Sequence, residues 1–73
     1  MNNSIMYVEV EPAKIIDVNR IFEGYEYLAL VSTVDRQRAV VKLRGTPDTM
    51  PEVEKVVKHL PFPAKILEYF TEY

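Results

Sequence analysis

The chain has 73 residues, with nine basic against eleven acidic side chains for a net charge of −2, and no cysteine. That length makes one domain, residues 1–73, near the lower limit for a self-sufficient core, so either packing is tight or an oligomer adds buried area. The charge argues against a nucleic-acid footprint over the whole surface, the missing cysteines exclude disulfides and thiolate metal sites, and no apolar run approaches the roughly 20 residues of a membrane span.

The first residues do not form a signal peptide, and the composition fits a cytoplasmic protein. After a polar lead-in at Asn2 and Asn3, Ile5 to Val10 reads as a strand. Its alternation sets Met6, Val8 and Val10 on one face and Ile5, Tyr7 and Glu9 on the other, and Glu9 marks the second face as outer. Glu11-Pro12 opens a helix, with proline where its missing N–H costs nothing. Ile15, Val18, Ile21 and Phe22 fall on one side at helical spacing, with Ile16 at the flank. Gly24 follows the last periodic residue and suits a left-handed cap.

Tyr25 to Val34 has no proline or glycine and many β-branched and aromatic residues, which predicts a second strand. Asp35 to Arg38 is a polar break without the Asn-Gly or Asp-Gly of a tight primed turn. Arg38 to Arg44 alternates as a third strand, with Arg38, Val40, Lys42 and Arg44 outward and Ala39, Val41 and Leu43 inward. Folding this hairpin about Gln37 opposes Leu30 with Leu43 and Ser32 with Val41. Opposed residues share a face, so Leu28, Leu30 and Val34 join the core, and Tyr27, Ala29, Val31 and Thr33 face outward. A bulge would shift the register by one and flip one strand.

Beyond the loop Gly45-Thr46-Pro47-Asp48, Thr49-x-x-Glu52 matches a capping box. Met50, Val53, Val56, Val57 and Leu60 form a second apolar helical stripe. Glu54 and Lys58 stand four apart in the favourable order. Pro61 and Pro63 stop this helix, and Ala64 to Phe70 is a last strand. If Lys65 points outward, so do Leu67 and Tyr69, while Ile66 enters the core.

The order βαββαβ, with right-handed crossovers, predicts an α+β ferredoxin-like two-layer sandwich: an antiparallel sheet of order 4-1-3-2 with both helices on one face. The outer face then carries an apolar middle of Tyr7, Val31, Val40 and Leu67, rimmed by Glu9, Arg38, Lys42 and Arg44. An apolar centre with a polar rim is how a protein interface is built. It predicts a homo-oligomer, a dimer or higher, formed through the sheet face or a strand edge. The basic side chains Arg38, Lys42 and Arg44 also suit a small anionic ligand.

Catalytic chemistry finds little to use. His59 has no partner ligand at helical spacing. Gly24 and Gly45 are isolated and make no phosphate loop. Glu23 and Glu26 flank Gly24-Tyr25 and as a carboxylate pair could share a proton or bind a cation; an enzyme completed by a second chain, the least favoured reading, would use Glu23, Glu26 or Asp35. No catalytic residue, metal site or cofactor is expected. An RNA-recognition motif shares this element order and stacks bases on aromatics of strands one and three. Tyr7 fits, but strand three has no aromatic, so nucleic acid is an alternative rather than the main reading.

The stretch Ile21-Phe22-Glu23-Gly24-Tyr25-Glu26, followed by Leu28 to Asp35, resembles a small bacterial family of unknown function whose members are single ferredoxin-like domains of about this length. Its distinctive motif is Glu23-Gly24-Tyr25-Glu26 with Thr33-x-Asp35 at the hairpin. The architecture is also similar to ACT-type regulatory domains. That likeness implies pairing through sheets and small ligands, such as amino acids, held between subunits. The glycine those domains usually carry between strand one and helix one is missing here. Together these features predict a non-enzymatic, self-associating regulatory or ligand-binding module. The interface and ligand candidates are Tyr7, Tyr27, Val31, Arg38, Val40, Lys42 and Arg44.

Overall fold

The computed structural model describes residues 4–71; the Asn2-Asn3 lead-in lies outside them. Strand β1 (Ile5–Val10) leads through a 3-10 turn (Pro12–Lys14) into helix α1 (Ile15–Glu23). Strands β2 (Leu30–Asp35) and β3 (Val40–Arg44) form the hairpin, and helix α2 (Met50–Lys58) and strand β4 (Ala64–Leu67) complete an α+β fold. The four strands pair antiparallel in the order β2-β3-β1-β4, which reads β4-β1-β3-β2 from the other edge.

The core lies on one side of the sheet. Val8 of β1 pairs with Val41 of β3, and Met6 with Leu43. These share a cluster with Val18 and Phe22 of α1 and with Val53 and Val57 of α2. This is the helix face. The stripe of α2 thus reaches the core mainly through Val53 and Val57, while Val56 packs at its margin. On α1 Ile16 is exposed, as a flank position should be.

The second strand starts later than its propensities predict. Residues 25–29 instead form turns in which the Tyr25 N–H donates to the Phe22 carbonyl, and the Leu28 and Ala29 N–H groups donate to that of Tyr25. Local bonds satisfy this backbone without a partner strand, and burial of Leu28 and Ala29 anchors it. Strand propensity gives way to such context. Gly24 is not left-handed either: its φ is −74°, and its N–H continues the helix to Ile21.

The hairpin register is also displaced by one. Leu30 faces Arg44, Val31 faces Leu43 and Thr33 faces Val41, and the ladder then skips to Asp35 opposite Val40. The irregularity between Thr33 and Asp35 is a bulge. Its cause lies in the turn. The Asp35 carboxylate accepts the Arg38 N–H at 3.0 Å, and Ala39 closes the loop in the left-handed region at φ 57°. Ala39 is fully buried, and its carbonyl accepts the Val10 N–H. Because side chains alternate with period two, a one-residue shift exchanges the faces. Val31 and Thr33 therefore lie on the helix side, not the outer side, and Leu30 lies on the outer side, 62% exposed.

Helix α2 is capped one turn earlier than predicted. Thr49 makes no side-chain cap to α2 and Glu52 is not its partner. Instead the Thr46 N–H donates to Thr49 Oγ1 at 2.9 Å, and the Thr49 N–H donates to Thr46 Oγ1 at 3.2 Å. That reciprocity is a capping box with Thr46 at its start and Pro47 at the first position. Strand β4 ends at Leu67 rather than Phe70. Its pairing sets Lys65 opposite Glu9 and Leu67 opposite Tyr7 on the outer face, and Ile66 opposite Val8 on the helix face.

Candidate functional site

The outer sheet face is built by alternate residues of the four strands. Tyr7 lies at its centre, between Lys42 of β3 and Leu67 of β4 in the ladder. After Leu67 the chain leaves the sheet, and Phe70 turns back onto Tyr7 with ring centroids 5.1 Å apart, tilted 38°. The Arg38 guanidinium sits 5.6 Å from the Phe70 centroid, and its Nε lies 3.5 Å from Glu9 Oε2. Arg38 belongs to the turn rather than to β3, but it does meet Glu9 as the alternation implies. The ion pair is partly exposed, so its contribution to stability is small.

Two concavities meet at Arg38. One, about 320 Å³, is lined by Val34, Asp35, Arg38, Tyr69, Phe70 and Thr71. The other, about 450 Å³, lies towards Glu9, Glu11, Pro12, Pro63 and Lys65. Val40 is no open apolar centre: it is fully buried. It stands between Glu9 and Asp35 in the ladder, at the end of the face where Arg38 reaches both Glu9 and Phe70. Of the predicted candidates, then, Tyr7, Arg38, Lys42 and Arg44 lie on or beside this face. Val31 is on the other side, and Tyr27 is off the sheet in the loop before β2, 72% exposed.

The residues of the Glu23-Gly24-Tyr25-Glu26 motif gather at the end of α1. Tyr25 links Phe22 to Tyr27, with ring centroids 6.4 Å and 6.2 Å away. Glu23 and Glu26 are exposed and border a small hollow of about 120 Å³ with Asn19, Phe22 and Leu30. Thr33 and Asp35 sit at the bulge, where Asp35 holds the turn. His59 Nδ1 lies 2.8 Å from the Lys55 carbonyl. Among the described residues no group of three or more His, Cys, Asp or Glu side chains is placed to hold a metal ion.

The two sheet edges differ. Strand β4 has four residues, follows Pro63 and carries outward Lys65, three devices that discourage pairing with another chain. Strand β2 has six residues and no charge before Asp35, and its Leu30, Ser32 and Thr33 are exposed. Among the described residues the exposed large apolar side chains are Ile16, Tyr25, Tyr27, Leu30 and Tyr69. Three of these lead into or begin β2. Sequence reasoning left a strand edge open as the contact but did not single out β2, because it placed Leu30 in the core. It missed Phe70 because nothing local signals a ring that folds back over a strand distant in sequence.

The profile of a family described as a domain of unknown function (DUF4911) matches residues 8–63. No curated protein and no solved structure gives a significant match. No helix among the described residues is long and apolar enough to cross a membrane.

Proposed function

We propose that this chain, which belongs to the DUF4911 family, is a non-enzymatic module that self-associates by pairing β2 with β2 of a second copy. The β2 edge carries this reading: it is long, uncharged over Leu30 to Val34, and flanked by exposed Tyr25, Tyr27 and Leu30. An edge strand presents unpaired N–H and C=O groups that template another strand. Two identical antiparallel edges satisfy one another about a two-fold axis. The adjoining tyrosines and Leu30 would add the apolar area that a strand pair alone lacks.

The ββ hairpin, the two crossover helices and the strand order support a ferredoxin-like architecture of the ACT kind, in which paired sheets leave the outer face for ligands. The basic side chains Arg38, Lys42 and Arg44 favour a small anion there. The nucleic-acid reading is weaker. Its one stacking platform, Tyr7, already holds Phe70, and β3 contributes no aromatic. An enzyme built on Glu23 and Glu26 has only exposed acids to work with.

Sedimentation velocity tests the edge. The parent chain should run as a dimer at micromolar concentration. Leu30→Lys combined with Thr33→Lys, both at exposed edge positions, should give a folded monomer. A parent chain that is monomeric, or a double variant that remains dimeric, would refute it.

A further inference from the structure

We propose that the hollow between the C-terminal ends of α1 and α2 binds a small apolar monocarboxylate, with its hydrocarbon part on Ile21, Val56 and Leu60 and its carboxylate at Lys55 and His59. The inference goes beyond the self-association reading and uses neither the outer sheet face nor the β2 edge. Tyr25, which walls the hollow, is the one residue it shares with the region assigned to pairing.

The apolar floor comes from stripe positions that the core leaves over. In α1, Val18 and Phe22 are buried, while Ile21 is only partly so. In α2 and just past it, Val53 and Val57 are buried, while Val56 and Leu60 stay partly open. These three remaining side chains meet in one hollow of about 310 Å³, room enough for a small ligand.

The walls are fixed. The Tyr25 N–H donates to the Phe22 carbonyl, and its own carbonyl accepts from Leu28 and Ala29, which sets its ring 6.4 Å from that of Phe22. At the end of α2 the His59 N–H is bound to the Lys55 and Val56 carbonyls and the Leu60 N–H to that of Val57. Pro61, which also lines the hollow, stiffens the chain beyond. Backbone held at both ends does not close over the floor, so water or a ligand covers it.

Charge selects the ligand. The ionisable side chains of the lining besides Tyr25 are Lys55 and His59, and among the described residues no acid joins them. His59 Nδ1 lies 2.8 Å from the Lys55 carbonyl. A carbonyl only accepts, so Nδ1 carries the proton and Nε2 is left for another partner. An anion beside the ring favours its protonated form, in which Nε2 donates as well. The Lys55 ammonium reaches Glu52 Oε1 at 3.6 Å, but both side chains are largely exposed, and such a pair holds an ammonium weakly. Cations in a last turn also offset the helix dipole. That role accounts for the charges, but not for three apolar side chains left open beside them. A carboxylate would accept charge-assisted bonds at the rim while its hydrocarbon covers the floor. An amine would meet Lys55 with like charge.

The test titrates octanoate into the isotope-labelled full chain, with octanol and octylamine as neutral and cationic counterparts, and follows binding by NMR. Octanoate should shift the signals of Ile21, Tyr25, Val56, His59 and Leu60. It should bind about tenfold more tightly than octanol, the size of one charge-assisted bond, and octylamine should bind more weakly still. Lys55→Gln combined with His59→Gln, both at exposed positions, should fold as the parent does and lose the preference for octanoate over octanol. Val56→Phe fills the floor and should weaken octanoate and octanol alike; if that variant does not fold, the rim variant still decides. Absence of shifts at millimolar octanoate, shifts centred elsewhere on the chain, octanol or octylamine binding as tightly, or a preference for octanoate that survives loss of Lys55 and His59 would each overturn the proposal.

Discussion

Replacing Gly45 by alanine should lower stability sharply, although nothing about its φ demands glycine. The demand is spatial. A methyl group there would stand 2.5 Å from the Leu28 carbonyl oxygen, 2.6 Å from Thr49 Oγ1 and 3.2 Å from Met50 Sδ. The methionine sulfur can swing aside. The Leu28 oxygen is backbone, held in the turn that follows α1, and the Gly45 N–H is itself bound to the Ser4 carbonyl at 2.8 Å. Forcing a carbon into such a gap costs about 1–3 kcal/mol. Moving the Thr49 hydroxyl breaks its bond to the Thr46 N–H, and a lost cap costs about 1 kcal/mol. Stiffening of the unfolded chain by alanine returns about 0.4–1 kcal/mol. The net loss is about 2 kcal/mol, which for a domain of this size lowers Tm by roughly 8–16 °C. A thermal melt followed by far-ultraviolet circular dichroism measures it. A Tm within a few degrees of the parent would show that the β3–α2 junction does not pack as described.

Other substitutions separate competing accounts. Thr46→Val should cost about 1 kcal/mol by removing the cap hydroxyl, whereas Glu52→Ala should change stability by less than about 0.5 kcal/mol; urea melts that reverse this order would restore the later box. Val53→Asp places an unpaired charge at a fully buried site and should unfold the chain or cost more than about 4 kcal/mol, read as loss of the cooperative melt. Val40→Glu should also destabilise the monomer, because Val40 is fully buried; a variant with parental Tm and altered assembly alone would mean that Val40 is an open contact residue.

Much of this architecture is legible in the chain. The helical stripes of α1 and α2 follow from apolar spacing, and Val18, Phe22, Val53 and Val57 are indeed buried. The alternation in β1 and β3 separates Val8, Val10, Val41 and Leu43 from Tyr7, Glu9, Lys42 and Arg44 as the ladder does. What fails is decided by backbone geometry that residue types do not announce. Alanine is not a residue that signals a left-handed turn, yet Ala39 at φ 57° sits where a bulge reverses the facing of β2. Tyr25 to Leu28 have strand-forming side chains, but the backbone finds its partners within the segment. Thr46 and Thr49 both precede α2, and both overlapping capping patterns carry an early proline, Pro47 in one and Pro51 in the other, so residue types alone do not choose between them. On the outer face, Tyr7 and Arg38 are readable from the alternation, while Phe70 is placed by a contact between the two ends of the chain.

Amide hydrogen exchange along β2, measured as a function of protein concentration, tests the edge-pairing account most directly. Within Leu30 to Asp35, the amides that β3 leaves unpaired should exchange more slowly as concentration rises, while those on the free side of β4 should not change. Exchange at β2 that stays fast and independent of concentration, or protection that builds up at β4 instead, would contradict it.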